Sequence, residues 1–264
     1  MKPALPQQLC FRVTRHCNAR CRFCLAPPDG VHPDTDVMKQ RLDWLLSQGV
    51  RTIHFSGGEP TTHPGLPELI ARVHAHGGKT KLTTNAIAIP DALVQALREA
   101  DTEVKVSLHG DRDHHNAMAG VRSFDHTTGN LKRLLASGIR TSVQATIVAE
   151  ETGVVEWLID YCLETGVRRL SILPFIPRGS GNDCADAFQF SARQRSTLRE
   201  AVKKRRRTLV GKLDLRWLDF TARPIHVVEP DGRVVLEAAT ETLDEVLCRI
   251  PDVQPMAGGA VVCH

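Results

Sequence analysis

The 264-residue sequence has no run of eighteen or more apolar residues, and its opening Met1-Lys2-Pro3-Ala4-Leu5-Pro6 has no apolar signal segment. The first absence argues against a membrane-spanning helix and the second against secretion. A cytoplasmic setting is expected, in which eight cysteines stay thiols rather than forming a disulfide framework. Excess charge is also small: 34 Lys and Arg against 30 Asp and Glu leave +4. That balance admits an anionic substrate but does not point to nucleic acid. There is no low-complexity segment and no internal repeat beyond an alternation of short apolar runs with amphipathic stretches. Apolar residues make up 42% of the chain, ample for a core.

That alternation is the sign of β/α units and a parallel sheet. Strands are expected at residues 9–14, 51–55, 79–84, 103–108, 140–148 and 168–173. Helices fall between them at 37–47, 66–76, 90–99, 127–137 and 154–164, several closing at Gly. The fold class is therefore α/β: a partial (β/α)6 TIM-like barrel with its chemistry at the C-terminal strand ends. After Pro174 the pattern changes. Residues 175–187 read as a loop, 191–209 as a polar helix, and 225–228 with 233–236 as a hairpin around Pro230-Asp231-Gly232. Residues 242–247 read as a short helix and 251–264 as a loose tail. This gives a core domain, 1–180, and a small C-terminal α/β-hairpin extension, 181–264, covering the barrel.

Two motifs carry chemistry. Cys17, Cys21 and Cys24 form a C-x3-C-x2-C run on the loop after the first strand. A second C-x-x-C is missing, which weakens a structural zinc site, although His16 or His32 could supply a fourth ligand. Three thiolates on one short loop suit an iron–sulfur cluster that keeps one iron open. The second motif, Gly57-Gly58-Glu59-Pro60, follows the second strand. Its glycines allow close backbone approach to a ligand, and a carboxylate there can accept from an ammonium group.

Together these motifs resemble the radical SAM superfamily, over roughly residues 9–180. The resemblance implies that Cys17, Cys21 and Cys24 hold a [4Fe–4S] cluster whose open iron is chelated by S-adenosylmethionine (SAM). Phe23 matches the position that contacts adenine, and Gly57, Gly58 and Glu59 the turn that binds the methionine amino group. Asn85 lies in Thr83-Thr84-Asn85, which is similar to the family's T-N-G element with Ala86 in place of Gly. Ser107 matches a serine that bonds SAM, and Leu173 an apolar position under the adenine. The implied reaction begins with an electron from a flavodoxin- or ferredoxin-like donor. SAM is cleaved to a 5′-deoxyadenosyl radical, which takes a hydrogen from the substrate.

Segments 106–120 and 174–179 resemble the branch containing the molybdenum-cofactor cyclase and peptide-modifying enzymes. The auxiliary-cluster cysteines of that branch are not found around the hairpin, so the extension is read as trimmed. Cys184, Cys248 and Cys263 fit no defensible pattern for a second cluster. Cys184 is either a hydrogen donor to a substrate radical or a passive loop cysteine, and Cys10 and Cys162 read as core. His109, with His114, His115 and His126, is either part of a substrate pocket or a solvated loop residue. Arg178 could meet a SAM or substrate carboxylate. The run Lys203-Lys204-Arg205-Arg206-Arg207 reads as a solvated face. The expected function is a radical SAM enzyme acting on a small metabolite, ahead of a ribosomally made peptide for which no leader-recognition segment is seen. A glycyl-radical activase and a zinc-stabilised nucleic-acid-binding protein are more distant alternatives.

Overall fold

The computed structural model describes residues 5–149, 152–221 and 224–251. Strands β1 (Gln8–Arg12), β2 (Thr52–Ser56), β3 (Lys79–Thr84), β4 (Glu103–Ser107), β5 (Thr141–Ile147) and β6 (Arg169–Pro174) follow one another, each pairing in parallel with the next. Between them run α1 (Thr35–Ser47), α2 (Leu66–Ala75), α3 (Asp91–Glu99), α4 (Arg112–Ala119) with α5 (Phe124–Ala136), and α6 (Val154–Thr165). The six expected units are present in order.

Each strand alternates in character, and the alternation fixes which face meets the helices. Phe11, Ile53, Phe55, Leu82, Val104, Val106, Val143 and Leu170 are buried. They share one core with Leu42 and Leu45 of α1, Ile70 of α2, Leu97 of α3 and Leu158 of α6. Phe11 and Phe55 meet edge to face at 6.1 Å. The intervening side chains, including Cys10, His54, Lys81, Lys105, Gln144 and Ser171, line a cavity inside the barrel. Parallel strands buried on both faces are usually apolar throughout. Here the inner face is polar, so the barrel encloses a chamber and not a packed core.

Two expectations for the C-terminal part need correction. After the short α7 (Ala185–Phe188) and α8 (Ala192–Thr208), a strand absent from the sequence reading, β7 (Asp214–Trp217), extends the sheet in parallel beyond β6. The helix expected at 242–247 is a single 3-10 turn, Glu241–Leu243, followed by a strand, β10 (Glu245–Arg249). The strand wins because its backbone pairs antiparallel with the outer edge of β9 (Arg233–Glu237). β9 pairs with β8 (Ile225–Val228), which lies parallel to β1. One sheet results, in the order β10-β9-β8-β1-β2-β3-β4-β5-β6-β7. Residues after 180 thus occupy both of its edges. Residues 252–264 of the expected tail, with Cys263, lie outside the described residues.

Candidate active site at the barrel mouth

The cysteine loop leaves the C-terminal end of β1 and is gripped from four directions. From β2, Gly58 N donates to Thr14 O (2.7 Å) and Glu59 N to His16 O (2.8 Å), directly before Cys17. The approach is so close that a Cβ on Gly57 would lie 2.3 Å from Thr14 O and one on Gly58 2.2 Å from His16 O. Only glycines fit this seam. From β3, Asn85 Nδ2 donates to Asn18 Oδ1 (2.7 Å). From the end of α4, Ala119 O accepts from Arg20 N (2.9 Å). From the loop after β6, Ser180 N donates to Cys24 O (3.0 Å) and the Cys184 thiol to Arg22 O (3.1 Å).

Glu59 is buried and faces the protein. Its carboxylate accepts from Thr84 Oγ1 (2.6 Å), Asn85 N (2.7 Å) and Thr61 N (3.0 Å). Two of these bonds fall on Oε1 and one on Oε2. Burial pushes the carboxyl up and the three donors oppose that shift, burial being the larger effect. The side chain pins the Gly-Gly turn to the β3 exit, leaving backbone groups to face the mouth. Ala86, one residue past Asn85, has φ +55, the left-handed conformation that explains why glycine is the family's usual choice there.

Cys17, Cys21 and Cys24 are half-buried free thiols. Burial, with Cys24 and Cys17 adding to it, pushes the Cys21 thiol up to about 12. Cys17 rises to about 11, again chiefly by burial, with Glu59 and Cys24 contributing. Thiols that oppose one another's ionisation form a soft donor set that a bound metal cluster would neutralise. Ala19 N donates to Cys17 Sγ (3.4 Å). Among the described residues no three His, Cys, Asp or Glu side chains converge as a single-ion site would require. A cubane instead spreads its three thiolates over three irons. The loop fits such a cluster.

Cys24, Gly57 and Arg178 line the barrel cavity of about 620 Å³. By strand parity Ser107 and Leu173 face inward with Lys105 and Ser171. Cys184 and His109 do not line that cavity. Cys184 packs beneath the cysteine loop with its thiol hydrogen on Arg22 O. His109 sits between Phe23, 4.7 Å away, and His115, 5.7 Å away, while its Nδ1 accepts from Thr146 N (3.2 Å). Burial, then the neighbouring histidines, keeps its ring neutral. It supports Phe23 from behind. Arg178 is buried and held bidentately by Asp244 at 2.6 and 2.9 Å. Sequence reading missed the ion network around it: Arg12 bridges Glu229 and Glu237, the latter at 2.7 Å.

A family model, "Radical SAM superfamily", matches residues 11–162. The chain belongs to the radical SAM superfamily. The Fe-coproporphyrin III synthase of Methanosarcina barkeri is 28% identical over 65% of this chain and 45% of its own length. A PqqA peptide cyclase of Streptomyces rochei is 24% identical over 80% of this chain and 59% of its own. The GTP 3′,8-cyclase of Chlorobaculum tepidum is 36% identical over 47% and 40%. This radical SAM chain thus spans about half the length of the curated relatives it matches. Streptococcus suis SuiB bound to S-adenosylmethionine shares the fold, with TM-score 0.75 and 19% identity over 88% of this chain and 60% of that one. These matches agree with the cyclase and peptide-modifying branches expected from the sequence. The superfamily's cofactors are a [4Fe–4S] cluster and SAM, and its members are enzymes. Among the described residues no helix is long and apolar enough to cross a membrane.

Proposed function

We propose that this radical SAM enzyme holds its cluster on Cys17, Cys21 and Cys24 and its SAM across Gly57, Gly58, Phe23, Asn85, Ser107 and Leu173. The carrying observation is the seam between the two motifs, where Gly57 and Gly58 lie on the backbone of residues 14–16 beside one chamber. When bound, cluster and SAM supply a 5′-deoxyadenosyl radical. The chain's residues do the rest. The Gly-Gly turn presents backbone groups to the methionine end of SAM, with Glu59 fixing that turn. Phe23 offers a ring face braced by His109. The barrel wall excludes water from a reactive centre and aims it at one carbon of the substrate. A flavodoxin- or ferredoxin-type donor in a reducing, cytoplasmic setting would deliver the electron.

The substrate is read as a small molecule admitted to the chamber, whose volume lies in the usual range for such ligands. The peptide cyclases among the relatives favour a second reading, in which one side chain of a peptide enters the mouth. The test is anaerobic reconstitution with iron and sulfide. Mössbauer spectra should show a [4Fe–4S] cluster perturbed by SAM, with 5′-deoxyadenosine formed on reduction. Cys17→Ser, Cys21→Ser and Cys24→Ser should each abolish both signals. Cleavage surviving in any of them would refute the assignment.

A further inference from the structure

The charges lining the chamber are distributed unevenly. At the mouth the cations are compensated: Arg12 by Glu229 and Glu237, Arg178 by Asp244. Below the mouth, Lys81, Lys105, Arg169 and Arg216 line the same cavity and are each partly exposed, and among the described residues two carboxylates, Glu103 and Asp214, flank them. Arg169 Nε (3.0 Å) and Arg216 Nη2 (2.7 Å) share a single oxygen of Asp214. Lys81 is 3.9 Å from Glu103, which also binds Arg140 at 2.7 Å. Lys105, midway along β4, has no carboxylate within ion-pair distance among the described residues. Burial, then Lys81, Arg169 and Arg216, favours its neutral form.

A half-buried lysine crowded by other cations is disfavoured in its charged form unless something supplies counter-charge. Here the lysine projects into a chamber that also reaches Cys24 and Gly57. We propose that the chamber floor recognises an anionic group of the substrate, a carboxylate or phosphate, with Lys105 as its main contact. Arg169 and Arg216, which have N–H donors to spare beyond one shared oxygen, complete the cradle. A molecule anchored there by its charged end would lie with its other end toward the cysteine loop. This rests on the radical SAM reading of the chamber. Without it, the floor remains an anion site with no assigned chemistry.

Two anions could fill such a site, the substrate's or the carboxylate of SAM itself, and the experiment separates them. Reconstituted protein is titrated by calorimetry at low salt with succinate, pyrophosphate and, as a neutral comparison, glycerol. SAM affinity is measured alongside. Wild type should bind at least one of the two anions and not glycerol. Lys105→Met should weaken that binding tenfold or more, Lys105→Arg should restore most of it, and SAM affinity should stay within twofold in both. Equal anion binding by Lys105→Met, or none by wild type, overturns the proposal. A parallel fall in SAM affinity overturns it too, since the floor would then serve SAM. Failure of the wild type to take up a cluster refutes the cofactor reading instead, because the anion titration reads the floor in metal-free protein as well.

Discussion

Gly58→Ala tests the seam on which the site is built. The added Cβ would lie 2.2 Å from His16 O, 2.7 Å from His16 C and 2.9 Å from Arg15 C. All three atoms are backbone, so no rotamer change relieves the clash. Ordinary contact begins at 3.4 Å, so the turn must withdraw by about 1.2 Å. Such a shift breaks both Gly58 N–Thr14 O and Glu59 N–His16 O, now 2.7 and 2.8 Å. Leaving two buried backbone pairs unmade costs on the order of 2–5 kcal/mol. For a chain of this size that lowers Tm by about 5–15 °C. Gly129→Ala is the matched comparison: Gly129 lies in α5, and a methyl group there would meet nothing within 4 Å. It should gain about 0.5–1 kcal/mol from helix propensity. Thermal unfolding of metal-free protein followed by circular dichroism measures both without involving the cofactor. If Gly58→Ala melts within a degree of wild type, the two motifs do not hold each other as described.

Arg178→Met and Asp244→Asn should each cost about 1–3 kcal/mol, less than a fully buried pair because Asp244 is partly exposed. A double-mutant cycle with no coupling would remove Arg178 from the mouth's framework. Ala86→Gly should raise stability by up to about 1 kcal/mol by relieving its positive φ, and a loss in urea unfolding would contradict that. Acid should destabilise the protein early. Burial, then Lys105 and Lys81, lowers His54 to about 3, and burial, then His114, lowers His115 to about 4. The unfolded chain takes up these protons near pH 6.5 while the native sites refuse them. Stability is therefore full above that pH and falls below it, by about 1.4 kcal/mol per pH unit per histidine. A flat Tm between pH 7 and 5.5 would sink the argument, and His115→Gln should flatten the slope if it holds.

The parallel core was legible because Leu42, Leu45 and their counterparts repeat at helical spacing between short strands that close at glycine. What went unread was the alternation inside those strands. Thr52–Ser56 reads Thr-Ile-His-Phe-Ser and Glu103–Ser107 reads Glu-Val-Lys-Val-Ser. Taken as apolar runs they give a sheet. Taken at period two they also give a polar inner face, and with it His54 and Lys105. Helix α4 carries a local signal of its own in Asp111, whose side chain caps His114 N at 3.0 Å. β7 and β10 carry none, since four- and five-residue strands at sheet edges are decided by the neighbour they pair with.

The same limit explains why the site's cysteines were readable and its ion network was not. Cys17, Cys21 and Cys24 are close in sequence because one loop must carry all of them. Glu237 has no sequence relation to its partners, yet it lies 2.7 Å from Arg12 and 3.7 Å from Arg178. It thereby joins the last residue of β1, the loop after β6 and the last residue of β9. Arg12 is held above its usual range: burial opposes its charge, but Glu237 and Glu229 outweigh burial. Both carboxylates come from the C-terminal hairpin. That hairpin therefore neutralises the cation next to the cysteine loop and continues the sheet past β1. Its contribution to the mouth is electrostatic.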